Sequence, residues 1–177
     1  MIDQDKEKSK DVLVDLSNIL REILDKNTED KIEVQDELSI LNKYTSIIKT
    51  RYQDQLNIST TIENNLEHVL VPTLTIQQLV ENSVKHGIDK THKYLEIRVD
   101  ISSAENHLEV RVTNNGKPLK QDFEQLLKNG SVLNSINERF KVLYGDNFQF
   151  SIYNKEQLVV NFFKISLETS VSEIIES

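Results

Sequence analysis

Cysteine is absent from the 177-residue chain, which excludes disulfides and thiolate-held metal sites. Its absence fits a reducing compartment. Long apolar runs are missing too. The longest span a few residues, far short of the ~20 a helix needs to cross a bilayer. The opening MIDQDKEKSK is polar and mixed in charge, so it has no leader-like apolar core. Basic clusters are also lacking. The chain carries 21 Lys and Arg against 29 Asp and Glu, a net charge of −8. A duplex binder needs a basic face, so nucleic-acid binding is disfavoured. A small anionic ligand that brings its own cation stays admissible. There is no internal repeat and no low-complexity tract. What remains, with 37% hydrophobic and 28% charged residues, is an ordinary globular composition, enough for one domain plus an appendage.

Hydrophobic spacing orders the chain. Val12, Leu16, Ile19 and Ile23 recur at helical intervals and predict a helix over 5–25, with Leu13, Leu20 and Leu24 widening its apolar stripe. Such a face wants a partner, either another helix or a second copy of the chain. KNTEDK breaks the pattern, and the domain boundary is placed near residues 27–31. A second helix is expected over roughly 33–53, with Val34, Leu38, Leu41, Ile48 and Tyr52 on one side. NISTTIE, 57–63, reads as a strand. Pro72 is placed to precede a helix over 73–86, and Gly87 to stop it. Leu95, Ile97, Val99 and Ile101, then Leu108, Val110 and Val112, alternate as two strands joined by SSAENH in an antiparallel hairpin. Residues 119–128 predict a short helix or lid, and 132–143 another helix. FQFSIY and LVVNFFKISL close the chain as strands around NKEQ. Helix stripes on one face of a mixed, mostly antiparallel sheet make an α+β two-layer sandwich, with the first helix outside it.

QQLVENSVKHG, 77–87, has an apolar back of Leu79, Val80 and Val84 and a crowded polar front. Gln78, Asn82 and Lys85 share one helical face, flanked by Glu81 and His86. Glu81 and Lys85 also form the favoured i,i+4 pair of any exposed helix. Asn82 is harder to explain that way, because its side chain competes for backbone hydrogen bonds. An amide oxygen suits a hard cation such as Mg²⁺, shared with phosphates and water. VTNNGKP, 112–118, reads either as a tight Asn-Gly turn or as a loop where Gly116 admits a planar ligand. GSVLNSINERF, 130–140, is a glycine before a helix start, and such a start can bind phosphate. The histidines are His68, His86, His92 and His107; all but His86 read as surface residues, and no zinc-ligand spacing is present.

Taken in order, these stretches resemble the ATP-binding domain of sensor histidine kinases, and more narrowly its LytS-type branch. LSNILREIL resembles the end of the dimerisation helix, and ELSILNKYTSIIKTRYQDQL the first ATP-domain helix. VPTLTIQQLVENSVKHG resembles the asparagine box; NNG and GSVLNSINERF stand where the two glycine boxes do, with YGD after them. The resemblance divides the chain into a dimerisation-helix remnant (1–28), the ATP-binding domain (31–170) and a tail (171–177). It implies a fold shared with gyrase-type and chaperone-type ATPases, with ATP and Mg²⁺ as cofactors. It gives Glu81 a catalytic role, polarising an acceptor histidine, and makes Asn82 the Mg²⁺ ligand. Gln78, Asn82, Lys85, His86, Gly87, Asn114, Gly116, Gly130, Leu133 and Arg139 become the ATP-binding set. Within it Lys85 and His86 touch phosphate, Asn114 faces the adenine amine, 119–129 forms a lid and Arg139 supports the phosphate segment or pairs locally. The implied partners are a response regulator, the phosphoacceptor helix upstream in the same protein and a second copy of the chain. The implied setting is the cytoplasmic side of a membrane-anchored parent.

The pattern also departs from the family. Asn114 replaces an aspartate, so the bond to adenine loses its charge assistance and weaker binding is expected. Val132 and Ser135 stand where glycine and asparagine are usual, which stiffens the loop. No histidine lies in the family's His-Phe-x-Phe-Asn setting. The chain is therefore expected to be a fragment that begins behind the acceptor helix and does not autophosphorylate alone. The alternative is a degenerate interaction module of the same fold that binds nucleotide weakly or not at all. A chaperone-like or repair-type ATPase is disfavoured, since it calls for a longer chain.

Overall fold

The computed structural model describes residues 29–88, 93–128 and 131–167. The expected helix over 5–25, the 171–177 tail, His92 and Gly130 lie outside them. In chain order the elements are β1 (Lys31–Glu33), α1 (Val34–Tyr52), β2 (Leu56–Ile62), β3 (Leu70–Pro72), α2 (Thr75–Gly87), β4 (Leu95–Ala104) and β5 (His107–Asn114). Then follow α3 (Phe123–Leu127), α4 (Val132–Tyr144), β6 (Phe148–Lys155) and β7 (Leu158–Ser166).

Alternation builds the sheet. Leu95, Ile97, Val99 and Ile101 of β4 and Leu108, Val110 and Val112 of β5 are all buried, while their neighbours face outward. The strand order is β2-β4-β5-β7-β6, with β2 parallel to β4 and every other pair antiparallel. Helices α1, α2 and α4 pack on one face, giving the expected α+β two-layer sandwich. The β4–β5 hairpin turns through Glu105 and Asn106, both left-handed at φ 49° and 62°. A two-residue turn of that hand matches the twist of its strands. The Asn-Gly pair at 115–116 is not a hairpin turn. There the chain leaves β5 and returns as β7 only after α3, α4 and β6. The aromatic end of the core gathers on Phe140, whose ring stacks on Phe150 at 5.9 Å and meets Phe163 edge-on at 5.2 Å.

A small ribbon, β1 with β3, lies apart from the main sheet, with Lys31 opposite Pro72. Pro72 therefore ends a strand, and α2 starts at Thr75. Leu74 before it is left-handed (φ 62°) and gives no side-chain cap. The cap comes from α1. The fully buried Glu37 carboxylate accepts the Leu74 N–H and, at 2.9 Å, the Ile76 N–H. Arg139 of α4 completes the knot, donating to Thr73 O (2.6 Å) and Thr75 Oγ1 (2.7 Å). Burial pushes the Glu37 carboxyl up to about 7, against the pull of the backbone N–H groups and the Arg139 charge.

Candidate nucleotide site

The other end of α2 opens on a cavity of about 350 Å³. Asn82, Ser83, His86 and Gly87 of α2 form one wall. Asn114 at the end of β5 and Ile152, Val159 and Asn161 of the sheet form the floor. Lys117, Pro118, Leu119, Lys120 and Leu126 close the far side, with Ser131 and Leu133 at the start of α4. Size and apolar lining suit a ring-sized ligand. Among the described lining residues the only side chains that carry or can gain charge are Lys117, Lys120 and His86; no carboxylate is present.

Two glycines set the cavity's shape. A Cβ on Gly116 would lie 2.5 Å from Gly87 Cα, so the loop after β5 sits backbone to backbone on the end of α2. A Cβ on Gly87 would meet the buried Leu95 side chain at 2.6 Å. Gly116 thus serves approach to α2 rather than lining the cavity itself. The following loop is pinned at its root, where Leu119 exchanges two hydrogen bonds with the Asn154 side chain, at 2.8 and 3.0 Å. Asp122 caps α3 through the Gln125 N–H, and Phe123 meets Phe150 edge-on at 5.4 Å. Ser131 caps α4 and donates back to Leu126 O at 2.8 Å.

Among the sequence-predicted residues, Asn82, His86, Gly87, Asn114 and Leu133 line the cavity. Gln78, Glu81 and Lys85 do not, because the face of α2 turned inward is 82, 83, 86 and 87. Glu81 is exposed, accepts from Gln77 Nε2 at 3.3 Å and lies toward α1. There its charge adds to the burial that pushes Tyr44 up to about 12. No ion pair joins it to Lys85 among the described residues. Arg139 does not line the cavity either: it sits in the knot at the opposite end of α2, bonded to Thr73 and Thr75. Burial first, then the Lys85 charge, holds the His86 imidazole below its ordinary value, favouring the neutral ring at neutral pH. Sequence reasoning missed Ser83, Lys117 and Asn161. A lone Asn inside LVVNFFKISL was the available signal for the last.

The histidine kinase family profile matches residues 1–56. The LytS sensor protein of Oceanobacillus iheyensis is 30% identical, over 86% of this chain and 28% of that protein. The catalytic domain of histidine kinase ThkA superposes with a TM-score of 0.61 at 16% identity, over 78% of this chain and 97% of that one. Histidine kinase ThkA in complex with the response regulator protein TrrA gives 0.58 at 17% identity, over 92% of this chain and 50% of that one. The fold is therefore that of a histidine kinase catalytic domain. More narrowly, the chain is similar in sequence to LytS-type sensor histidine kinases over the part of them that it spans. It spans little more than a quarter of the length of the curated relatives it matches.

Proposed function

We propose that this chain is the ATP-binding catalytic portion of a two-component sensor histidine kinase. It would hold Mg-ATP for phosphoryl transfer to a histidine outside the sequence, and from there to a response regulator. The observation that carries the reading is the charge of the cavity. In a chain of net charge −8, the described residues lining it include no carboxylate and include two lysines and a histidine. An apolar floor with amides suits a base, and a cationic mouth suits phosphates.

The donor set fits the metal only in company. No cluster of three His, Cys, Asp or Glu exists among the described residues. Asn82 offers one neutral oxygen, so the ion would be held largely by phosphate oxygens and water, as Mg²⁺ commonly is. When bound, Mg²⁺ would neutralise phosphate charge. Lys117, Lys120 and His86 would orient the phosphates, and Leu133 and Ile152 would cover the base. Gln78 and Lys85 would meet only the outer phosphates of a nucleotide that extends past the wall. Glu81, exposed and on the α1 side, would meet an incoming histidine rather than the nucleotide. Positioning and charge neutralisation are what phosphoryl transfer chiefly asks of a protein.

The acceptor helix, a response regulator and a second copy of the chain are the partners this reading entails. The ATP-dependent reaction would take place on the cytoplasmic side of a membrane-anchored parent. No helix among the described residues is long and apolar enough to cross a membrane. Calorimetric titration with a non-hydrolysable ATP analogue, with and without Mg²⁺, tests the core of the proposal. Mg²⁺-dependent binding at about 0.1–1 mM or tighter supports it. A folded protein that takes up no nucleotide favours the second reading, a degenerate interaction module, for which Asn114, Val132 and Ser135 are the motive.

A further inference from the structure

We propose that the open edge of the sheet is a contact between copies of this chain: β2 pairs antiparallel with β2 of a second copy, centred on Thr60. The contact lies outside the nucleotide cavity and does not depend on that reading.

Among the described residues β2 is an outer strand, joined to β4 alone. Natural sheets guard such an edge with charge, proline, a bulge or a cover. LNISTTI has no charged residue and no proline. Its register with β4 runs from Leu56–Leu95 to Ile62–Ile101 without a break, so it has no bulge. It has little cover either. On the helix-facing side Thr60 is exposed and Ile58 and Ile62 are half-buried, whereas Leu95, Ile97, Val99 and Ile101 of the neighbouring strand are buried. The helices therefore stop short of this edge and leave room beside it. The opposite edge differs: β6 carries Lys155 and is crossed where Asn154 holds Leu119.

The ladder shows which groups are open. Glu63 N–H donates to Ile101 O at 2.9 Å, so the main-chain groups of Asn57, Ser59, Thr61 and Glu63 turn toward β4. Those of Ile58, Thr60 and Ile62 turn the other way, to the free side. Leu56 spends its N–H on Gln53 O. The open run is thus 58–62, and Thr60 is its middle.

That run is complementary to itself. Turned about a two-fold axis through Thr60, Ile58 of one copy faces Ile62 of the other, Ser59 faces Thr61 and Thr60 faces Thr60. Apolar meets apolar and hydroxyl meets hydroxyl, pairings that stabilise adjacent strands. The next pair outward is Asn57 with Glu63, so no like charges are opposed. The self-matching sequence is what favours a second copy as the occupant over an unrelated extended segment. The sheet then runs continuously across both copies, with both helix layers on one face. So short a strand pair buries little area, and the dimer is weak, half formed at about 0.1 mM.

Sedimentation velocity from about 10 μM to 1 mM, on native chain and Thr60→Lys, tests the contact. Thr60→Lys sets like charges at the centre and should weaken the dimer by about tenfold or more, at unchanged melting temperature and nucleotide affinity. Because the chain has no cysteine, a single one reports the register. On mild oxidation Thr60→Cys should give a covalent dimer, since facing Cα atoms of such a pair lie about 5.5 Å apart, and Asn57→Cys should not. A native chain that stays monomeric at about 1 mM overturns the proposal. So does a dimer that Thr60→Lys leaves intact, which belongs instead to the apolar stripe at 12–24. Cross-linking at neither cysteine, or equally at both, overturns it as well.

Discussion

The two ends of α2 are built on opposite principles. At the start, polar groups are tied to neighbouring elements: Glu37 of α1 accepts the Leu74 and Ile76 N–H groups, and Arg139 of α4 donates to Thr73 O and Thr75 Oγ1. At the finish, Asn82, Ser83, His86 and Gly87 face a cavity. One end converts buried polar groups into fixed geometry; the other leaves polar groups over for a ligand. The comparison teaches that a site can be loose at its mouth when the helix carrying it is locked a few turns away.

The sharpest way to break the contrast is to unlock the fixed end. Glu37→Gln sets an amide donor against backbone N–H groups and leaves the Arg139 charge less compensated. A loss of about 2–4 kcal/mol in urea unfolding is expected. Nucleotide affinity of the folded fraction should stay within about twofold, because no cavity residue is touched. Equal losses at both ends would show that the division is false.

Gly116→Ala comes next. The added methyl must push the loop off Gly87, for a cost of about 1–3 kcal/mol. Unlike the first variant, it should also weaken nucleotide binding, since it moves two walls of the cavity. Thermal melts and calorimetry on the same samples decide.

Asn82→Ala acts on the open end alone. Alanine is the better helix former, so stability should hold or rise by about 0.5 kcal/mol. Mg-ATP binding should fall by about tenfold or more. Undiminished binding would remove Asn82 from the site.

The most gradual effects are read by pH. Glu37 titrates at about 7 in the fold against an ordinary 4.5, so the folded state holds the extra proton between them. Its contribution is full below 4.5 and is lost as pH climbs through about 7, a slope that Glu37→Gln should abolish. His86 runs the other way. Its folded value lies below the ordinary 6.5, so its contribution holds above that pH and is lost as pH falls. A polyanion favours the charged ring, so nucleotide binding should tighten modestly on acidification through 6.5, and less so in His86→Gln.

Strong periodicity was legible. The alternating runs of β4 and β5 and the stripes of α1, α2 and α4 lie where spacing puts them. The ribbon of β1 and β3 was not, because a three-residue strand carries no period. The start of α2 was misplaced toward Pro72 for a related reason. Its cap is a side chain on another helix, a long-range fact that a local signal cannot hold. Of the residues that the resemblance implied for the site, Asn82, His86, Gly87, Asn114 and Leu133 line the cavity. A helical wheel put Gln78 and Lys85 with Asn82, yet packing turned the helix so that Ser83 faces inward instead. Asn161 was hidden in an apolar strand, where only the sheet register shows that it lies diagonal to Asn114.

The clamp between Asn154 and Leu119 bears on how such a protein can evolve. It fixes on β6 one footing of the wall that begins at Leu119, and the Ser131 cap fixes the other at the head of α4. Residues added or removed between these footings need not disturb the floor, and lengthening a surface loop costs little. The segment between these footings is thus the part of the cavity wall whose length can change at least cost to the sheet that carries the rest.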